Sequence, residues 1–206
     1  MSTDFATLLI AAETHLKANS PQLVPIITRV GACTLVPEQD IFASLVRAVI
    51  AQLISVKAAQ SITAKFRAKV KNKITPTRVL QLSVEDFKTC GISGAKQRTI
   101  TGLAGHFQTN RGYGKKLLGA DSDTVREMLL PLFGIGPWTV DMLLIFSLCR
   151  PDVLPVGDLG LRAAVKDVYQ LEELPSAKVL ITLAAPWQPY RSIATWYLWR
   201  SRGWSG

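Results

Sequence analysis

LFGIGPWTVDMLLIFSLCRPDVLPVGD, residues 132–158, is the stretch that decides the fold. Its two glycines, Gly134 and Gly136, sit between apolar helical patterns: Val125, Met128, Leu129 and Leu132 before them, and Val140, Leu143, Leu144 and Ile145 after. Two glycines permit a tight reversal with positive φ, and Pro137 suits the first turn of the helix that follows. A hairpin of this kind leaves the N–H groups of a helix start facing outward. Those amides, with the positive end of the helix dipole, can take a phosphate. Ile135, between the glycines, is expected to plug the hairpin into the core. A GxG pair by itself is most often a plain turn. The flanking helices make this one a helix-hairpin-helix, and the absence of a leading strand and of GxGxxG separates it from a dinucleotide fingerprint.

The stretch ends on Asp158, which follows Pro155-Val156-Gly157 and precedes LGLRAAV, where an N-cap belongs. Asp is a favoured capping residue and needs no chemistry to explain it. A capping carboxylate is also held rigid at the positive end of a helix, which suits a group that stabilises a nearby cation or accepts a proton from water. On the residues alone both readings stand.

Moving outward, the periodicity is helical almost everywhere. Ile41, Phe42, Leu45, Val46, Val49, Ile50 and Leu53 recur at steps of three and four, a wide apolar stripe that predicts a buried helix and, on periodicity, puts Leu53 in the core. Ser55 is an N-cap for a helix from Val56 to about Val70. Further helices are expected at about 4–17, 21–30, 76–81, 84–89, 94–108, 122–131, 137–148, 159–170, 176–184 and 190–201. Strand-like alternation is scarce, so the fold class is all-α. Breaks fall at Gly31 to Glu38, Gly91 to Gly94, a loop from Arg111 to Gly119, Gly134 to Gly136, and Pro151 to Gly157. None is long enough to link independent domains. The expectation is therefore one domain over residues 1–206. A composition shift near Asp121 divides it into two packed helical lobes, approximately 31–120 and 1–30 plus 121–206, with a cleft between them.

Composition narrows the class. The chain has 206 residues, of which 48% are hydrophobic and 19% charged, and is long enough to bury a core without staples. Its net charge of +9 is uneven: from Ile41 to Ala120 there are 14 Lys and Arg against only Glu85 and Asp86, whereas the remainder is slightly acidic. Such a lobe is either the footprint of a polyanion binder or a solvated helix face. Lys65, Arg67, Lys69, Lys71 and Lys73 alternate with other residues, which suits one basic helix end better than a groove reader. Cys33, Cys90 and Cys149 lie far apart, and His15 and His106 are isolated, so zinc and iron–sulfur sites lack their ligand spacing. No cofactor and no side-chain metal site are expected. The N-terminus lacks a basic start before its apolar run, and no run stays uncharged for the roughly 18 residues of a membrane span. A monomer in a reducing cytoplasm is expected, associated with the nucleoid, or in the nucleus of a eukaryote.

GIGPWT followed by PVGDLGLR resembles the helix-hairpin-helix DNA glycosylase superfamily, and within it the alkylation-repair branch of the 3-methyladenine DNA glycosylase II type. AQLISVKAA at 51–59, GISGAKQRTITGLA at 91–104 and PWQPYRSIATWYLWR at 186–200 resemble the same branch, four separated motifs in order across about residues 20–201. The resemblance implies a catalytic role for Asp158, which supports loss of the base as the sugar gains oxocarbenium character and helps water attack C1′. It implies that Gly134, Ile135, Gly136 and Thr139 grip the phosphate backbone of double-stranded DNA beside a damaged base, often with a monovalent cation at the hairpin backbone. Leu53 falls where the family places a wedge that fills the gap left in the duplex. Trp138, Met142 and Trp199 fall near the base pocket, Met142 standing where the inducible bacterial alkylation enzyme has a tyrosine. The two tryptophans also have a packing reading, since Trp commonly anchors helical interfaces.

Extraction of a base from the stack costs a few kcal/mol. The face of a tryptophan can hold a cationic alkylpurine by about 0.5 to 2 kcal/mol. Strand-cutting members of the superfamily place a lysine at the position of Trp138 to form a Schiff base. Trp138 therefore implies a monofunctional enzyme that releases the free base and leaves an abasic site. No cysteine follows Cys149 to build the iron–sulfur loop of other branches, and the chain has no room for the N-terminal β lobe of the inducible enzyme. The alternatives are a glycosylase for oxidised or mismatched bases and a non-catalytic DNA-binding module that uses the hairpin as a clamp. Tyr190, Arg191 and Ser192, at the start of the last helix, are further candidates that no spacing argument places in the pocket.

Overall fold

The structure, a computed structural model, describes residues 3–203. Its α-helices are α1 (Thr3–Asn19), α2 (Val24–Val30), α3 (Ile41–Ala51), α4 (Val56–Lys69), α5 (Pro76–Leu80), α6 (Val84–Cys90), α7 (Gly94–Thr109), α8 (Tyr113–Gly119), α9 (Ser122–Leu129), α10 (Pro137–Phe146), α11 (Leu159–Val168), α12 (Ala177–Leu183) and α13 (Arg191–Ser201). Short 3-10 turns occupy Pro21–Leu23 and Ala185–Trp187, and no strand occurs among the described residues. The fold is all-α, as the periodicity predicts. Most helices begin on a side-chain cap. Asp40, Ser55, Thr75, Ser83, Ser93, Asp121, Asp158 and Ser176 each accept a hydrogen bond from the backbone N–H three residues on. Each such cap satisfies an amide that the helix cannot, typically worth about 1 kcal/mol.

Two local expectations are corrected. The segment from Arg111 to Gly119 is not a loop: Tyr113 to Gly119 form α8, which buries Tyr113 and Leu117 on one face. Tyr113 packs edge-on against His106 and Phe107 at 4.4 and 5.1 Å between ring centroids, and its hydroxyl donates to the Met128 carbonyl at 2.7 Å. These partners lie outside the segment, in α7 and α9, so a segment punctuated by Gly112, Gly114 and Gly119 gives no sign of them by itself. The second correction concerns α3, which stops at Ala51, so that Leu53 leaves the apolar stripe instead of continuing it.

The chain forms two compact units, Glu38–Leu143, and Met1–Pro37 with Leu144–Gly206. Their limits differ from the composition-based ones: the second break falls at Leu143 and not near Asp121. The helix-hairpin-helix stays with the central segment because Arg126 pairs with Asp141 at 2.7 Å and Gln52 bonds to Gly134 and Thr139. In this unit Leu45, Ile50, Phe66, Phe87, Ile100 and Leu117 are fully buried, with Phe66 and Phe87 5.7 Å apart. In the other unit Leu16, Leu23, Ile27, Leu161, Trp187 and Tyr197 lie in one core. Two aromatic polar atoms there are partnered: Trp187 Nε1 donates to the Tyr169 hydroxyl at 3.2 Å, and the Tyr197 hydroxyl to the Gly31 carbonyl at 3.1 Å.

Among the described residues no helix is long and apolar enough to cross a membrane, and no group of three or more His, Cys, Asp or Glu is placed to hold a metal. The cysteines are free thiols; burial pushes Cys33 up to about 12 and Cys149 up to about 11.

The helix at 113–119 has a direct test. Gly112, its N-cap, has φ +81, whereas Gly119 has no such requirement and an added Cβ at either position meets nothing within 4 Å. Gly112→Ala should therefore lower stability by about 1–2 kcal/mol and Gly119→Ala should leave it unchanged or raise it by up to about 1 kcal/mol, as read by urea unfolding. Equal effects would refute the left-handed cap.

Candidate functional site

In the central unit, the hairpin joins α9 to α10. Gly134 has φ +75, and a Cβ there would stand 1.9 Å from Thr99 Oγ1 and 2.9 Å from Thr99 Cβ. Only glycine fits. Gly136 is different and corrects the expectation of two positive-φ glycines: its φ is outside the left-handed region, and a Cβ on it would meet no atom within 4 Å. Glycine at 136 is thus not demanded by the protein's own packing, and it leaves bare backbone at a helix start. Val140 N–H donates to the Gly136 carbonyl at 3.2 Å, so the first-turn amides of α10 follow directly from Gly136. Ile135 is buried and plugs the hairpin as expected. Thr139 is buried too, its hydroxyl accepting from Gln52 Nε2 at 2.8 Å.

Gln52 is a residue that the sequence did not single out. Its side-chain amide nitrogen also donates to the Gly134 carbonyl at 3.0 Å, while its backbone carbonyl accepts from Lys96 Nζ at 2.8 Å. The same ammonium donates to the Ile50 carbonyl at 2.8 Å, and burial lowers the Lys96 pKa from its ordinary value. The next residue, Leu53, has φ +57 and is 100% exposed. An exposed leucine forgoes about 1.5–3 kcal/mol of burial, and a left-handed non-glycine costs about 1–3 kcal/mol more. Trp138 is half-buried and Met142 buried, both on α10.

In the other unit, Asp158 caps α11. Its Oδ1 accepts from Leu161 N–H at 2.5 Å and from the Trp199 indole N–H at 2.9 Å. Trp199 stacks on Phe146 with ring centroids 5.3 Å apart and planes 23° from parallel. Gly160 makes the contact fit: a Cβ there would lie 3.1 Å from Asp158 Oδ1 and 3.5 Å from Trp199 Nε1. The turn before Asp158 is tied down at its other end. The Ser192 hydroxyl donates to the Arg150 carbonyl at 2.6 Å and accepts from Val153 N–H at 2.9 Å, while Arg191 pairs with both oxygens of Asp152 at 2.6 and 2.9 Å. Arg191 and Ser192 are therefore anchors of residues 150–153, and Tyr190 lies edge-on to His15.

The structure thus brings Asp158 to Trp199, and Gly134 and Thr139 to Gln52. Gln52, Lys96, Phe146 and Gly160 escaped the sequence reading. Gly160 stands in the quoted DLGLR, Gln52 beside Leu53, and Phe146 inside an apolar run where nothing marks it. Lys96 sits among basic residues that read equally as a polyanion footprint or a solvated helix face, neither of which singles it out.

The family model for HhH-GPD superfamily base excision DNA repair protein matches residues 46–189. The chain belongs to this superfamily. Within it, the chain is 31% identical over 200 residues to the alkylbase DNA glycosidase-like protein mag2 of Schizosaccharomyces pombe, covering 92% of each. It is 30% identical to DNA-3-methyladenine glycosylase 1 of the same yeast, covering 96% of this chain and 90% of the relative. Among solved structures, that of the S. pombe 3-methyladenine DNA glycosylase Mag1 in complex with abasic DNA superposes with a TM-score of 0.86 at 28% identity, over 95% of this chain and 98% of the other. The superfamily's hairpin and the Asp158 cap both fall within the matched residues.

The two glycines of the hairpin are expected to separate in mutagenesis. Gly134→Ala meets both a steric conflict and an unfavourable φ and should cost about 2–4 kcal/mol of stability. Gly136→Ala should cost less than about 1 kcal/mol while weakening DNA binding. Chemical unfolding and a DNA titration on both variants check this; equal destabilisation would refute the reading of Gly136 as bare ligand-facing backbone.

Proposed function

We propose that this protein is a monofunctional DNA glycosylase of base excision repair that releases alkylated purines, of the 3-methyladenine and 7-methylguanine type, from double-stranded DNA. The observation that carries the proposal is the fixed carboxylate of Asp158, one oxygen of which accepts from both the Leu161 amide and the Trp199 indole. An N-cap needs only the first of these. The second ties the carboxylate to an aromatic pair, Trp199 on Phe146, whose electron-rich faces suit a cationic base.

The chemistry follows from that arrangement. An N-alkylated purine is a good leaving group because the bond electrons from C1′ neutralise its positive charge. As the C1′–N bond breaks, positive charge grows on the sugar, and a preorganised carboxylate stabilises it without reorganisation. Water then adds to C1′ and gives up a proton, for which the carboxylate is the acceptor. The products are a free base and an abasic site. No amine is required, and Trp138 occupies the place where strand-cutting relatives of the superfamily carry a lysine. Grip on DNA is assigned to the Gly134–Gly136 hairpin and the first-turn amides of α10, with Leu53 as the wedge that fills the gap in the duplex. The excess positive charge of residues 41–120 favours a polyanion. Lys69, one of its members, is engaged with Asp86 at 2.9 Å, a pairing that pulls the Asp86 carboxyl down to about 2.

The test is base release from methylated duplex DNA by the wild type and by Asp158→Asn, with DNA affinity measured in parallel. Asp158→Asn should slow release at least about a hundredfold and leave binding nearly intact. Equal release by both proteins would sink the catalytic assignment. Binding without release by the wild type would turn the site into a clamp, and abundant trapping of a protein–DNA adduct by borohydride would overturn the monofunctional reading.

A further inference from the structure

We infer that Gln52 and Lys96 are positioning residues that hold the Leu53 side chain out in solvent and register it against the phosphate-gripping hairpin, so that the wedge and the grip meet DNA as one preset unit. The inference rests on the wedge and grip roles proposed above, and it deepens them.

The sequence pattern itself shows that something must hold Leu53 out. Leu53 stands in phase with Ile41, Leu45, Val49 and Ile50, so a helix allowed to continue past Ala51 would carry it back along the apolar stripe. A cavity of about 360 Å³ lies beside it, lined by Ile50, Ile54, Ile62, Ile92 and Lys96 as well as Leu53 itself. Four isoleucines therefore stand within reach of a leucine that instead faces solvent. Yet the chain turns at Gln52, with φ −51 and ψ 128, and Leu53 takes a left-handed conformation that branched and bulky residues seldom adopt. Such a conformation persists where neighbours over-determine it.

The neighbours are specific. Lys96 Nζ donates to the carbonyls of Ile50 and Gln52, both at 2.8 Å, occupying acceptors at the end of α3 with a cation that also suits the negative end of the helix dipole. On the other side, the Gln52 amide donates to the Gly134 carbonyl at 3.0 Å and to Thr139 Oγ1 at 2.8 Å. The side chain of Gln52 thus holds the hairpin while its backbone starts the turn that presents Leu53. A shift of one is a shift of the other. Lys96 bonds the carbonyl of the peptide that leads into Leu53 rather than the hairpin, which makes it the cleaner handle on the wedge.

The experiment is a double-mutant cycle of Lys96→Met with Leu53→Ala, read as single-turnover release of an alkylated purine from duplex and from single-stranded DNA. Lys96→Met should slow release from duplex about tenfold more than release from single strands, because only the duplex has a gap to fill. In the Leu53→Ala background the same substitution should add no further duplex-specific loss, since the side chain it positions is gone. Lys96→Arg, which keeps a cation and donors, should restore most of the loss. A duplex-specific loss that adds in full to that of Leu53→Ala, or equal losses on both substrates, would overturn the inference. Gln52→Met serves where Lys96→Met fails to fold: it should combine a duplex-specific loss with weaker DNA binding, and an unchanged affinity would count against the link to the hairpin. The same cycle read as affinity for duplex containing an abasic site needs no turnover. An inactive wild type would therefore sink the glycosylase reading while the coupling is still decided by binding.

Discussion

The Lys96 ammonium, shared between the carbonyls of Ile50 and Gln52, fixes where α3 ends, and the placing of Leu53 and of the hairpin depends on that ending. Three consecutive residues change direction there. Ala51 is helical, Gln52 extended, and Leu53 left-handed. Because the ammonium is drawn out of water, the arrangement holds only while both acceptors are in place; burial already disfavours the charge, and the two carbonyls offset that cost. The hairpin inherits its position through the Gln52 side chain. Gly134 in turn is pressed against Thr99 too closely for any other residue. A chain of short polar contacts and one steric constraint thus runs from the body of the unit to bare backbone at Gly136.

A different economy governs Asp158. The fold uses the same capping device at Asp40, Ser55, Thr75, Ser83, Ser93, Asp121 and Ser176, where a side-chain oxygen takes the backbone amide three residues on. At Asp158 the cap oxygen takes an indole N–H as well, and Gly160 keeps the space beside it clear. Arg191 and Ser192 fasten the preceding turn to the start of α13, so the carboxylate enters the helix from a braced segment. The second donor is what the proposed chemical role of Asp158 adds to an ordinary helix cap.

These contrasts explain what a reader of the sequence could and could not see. Caps and 3.6-residue stripes are local, which is why the limits of α4, α7, α11 and α13 match their patterns closely. The end of α3 is not local. It is set by contacts from Lys96 to residues 46 and 44 positions earlier and from Gln52 to residues 82 and 87 positions later. Periodicity accordingly extended the stripe to Leu53 and buried it, whereas the motif resemblance set it apart. The helix at 113–119 was missed for a related reason: Tyr113 is stabilised by rings at 106 and 107 and a carbonyl at 128, and glycines hid the pattern. The pair Gly134 and Gly136 looked equivalent in sequence, and only packing separates a glycine that nothing can replace from one that leaves space open.

That last separation bears on what the free protein is built for. Folding alone would bury Leu53, and the empty surroundings of Gly136 would accept a side chain without conflict. Leu53 departs from what the protein's own stability favours, and Gln52 bonds the hairpin that carries Gly136 to the turn that presents Leu53. A departure of about 1.5–3 kcal/mol at one leucine is a large share of a domain's net stability. It is tolerable where a partner repays it on binding, and an unstacked gap in a duplex offers an exposed leucine the apolar contacts that water does not. In the wedge role proposed for Leu53, its preset strain acts in the direction of the reaction: conformational cost met during folding is not met again when a base leaves the stack.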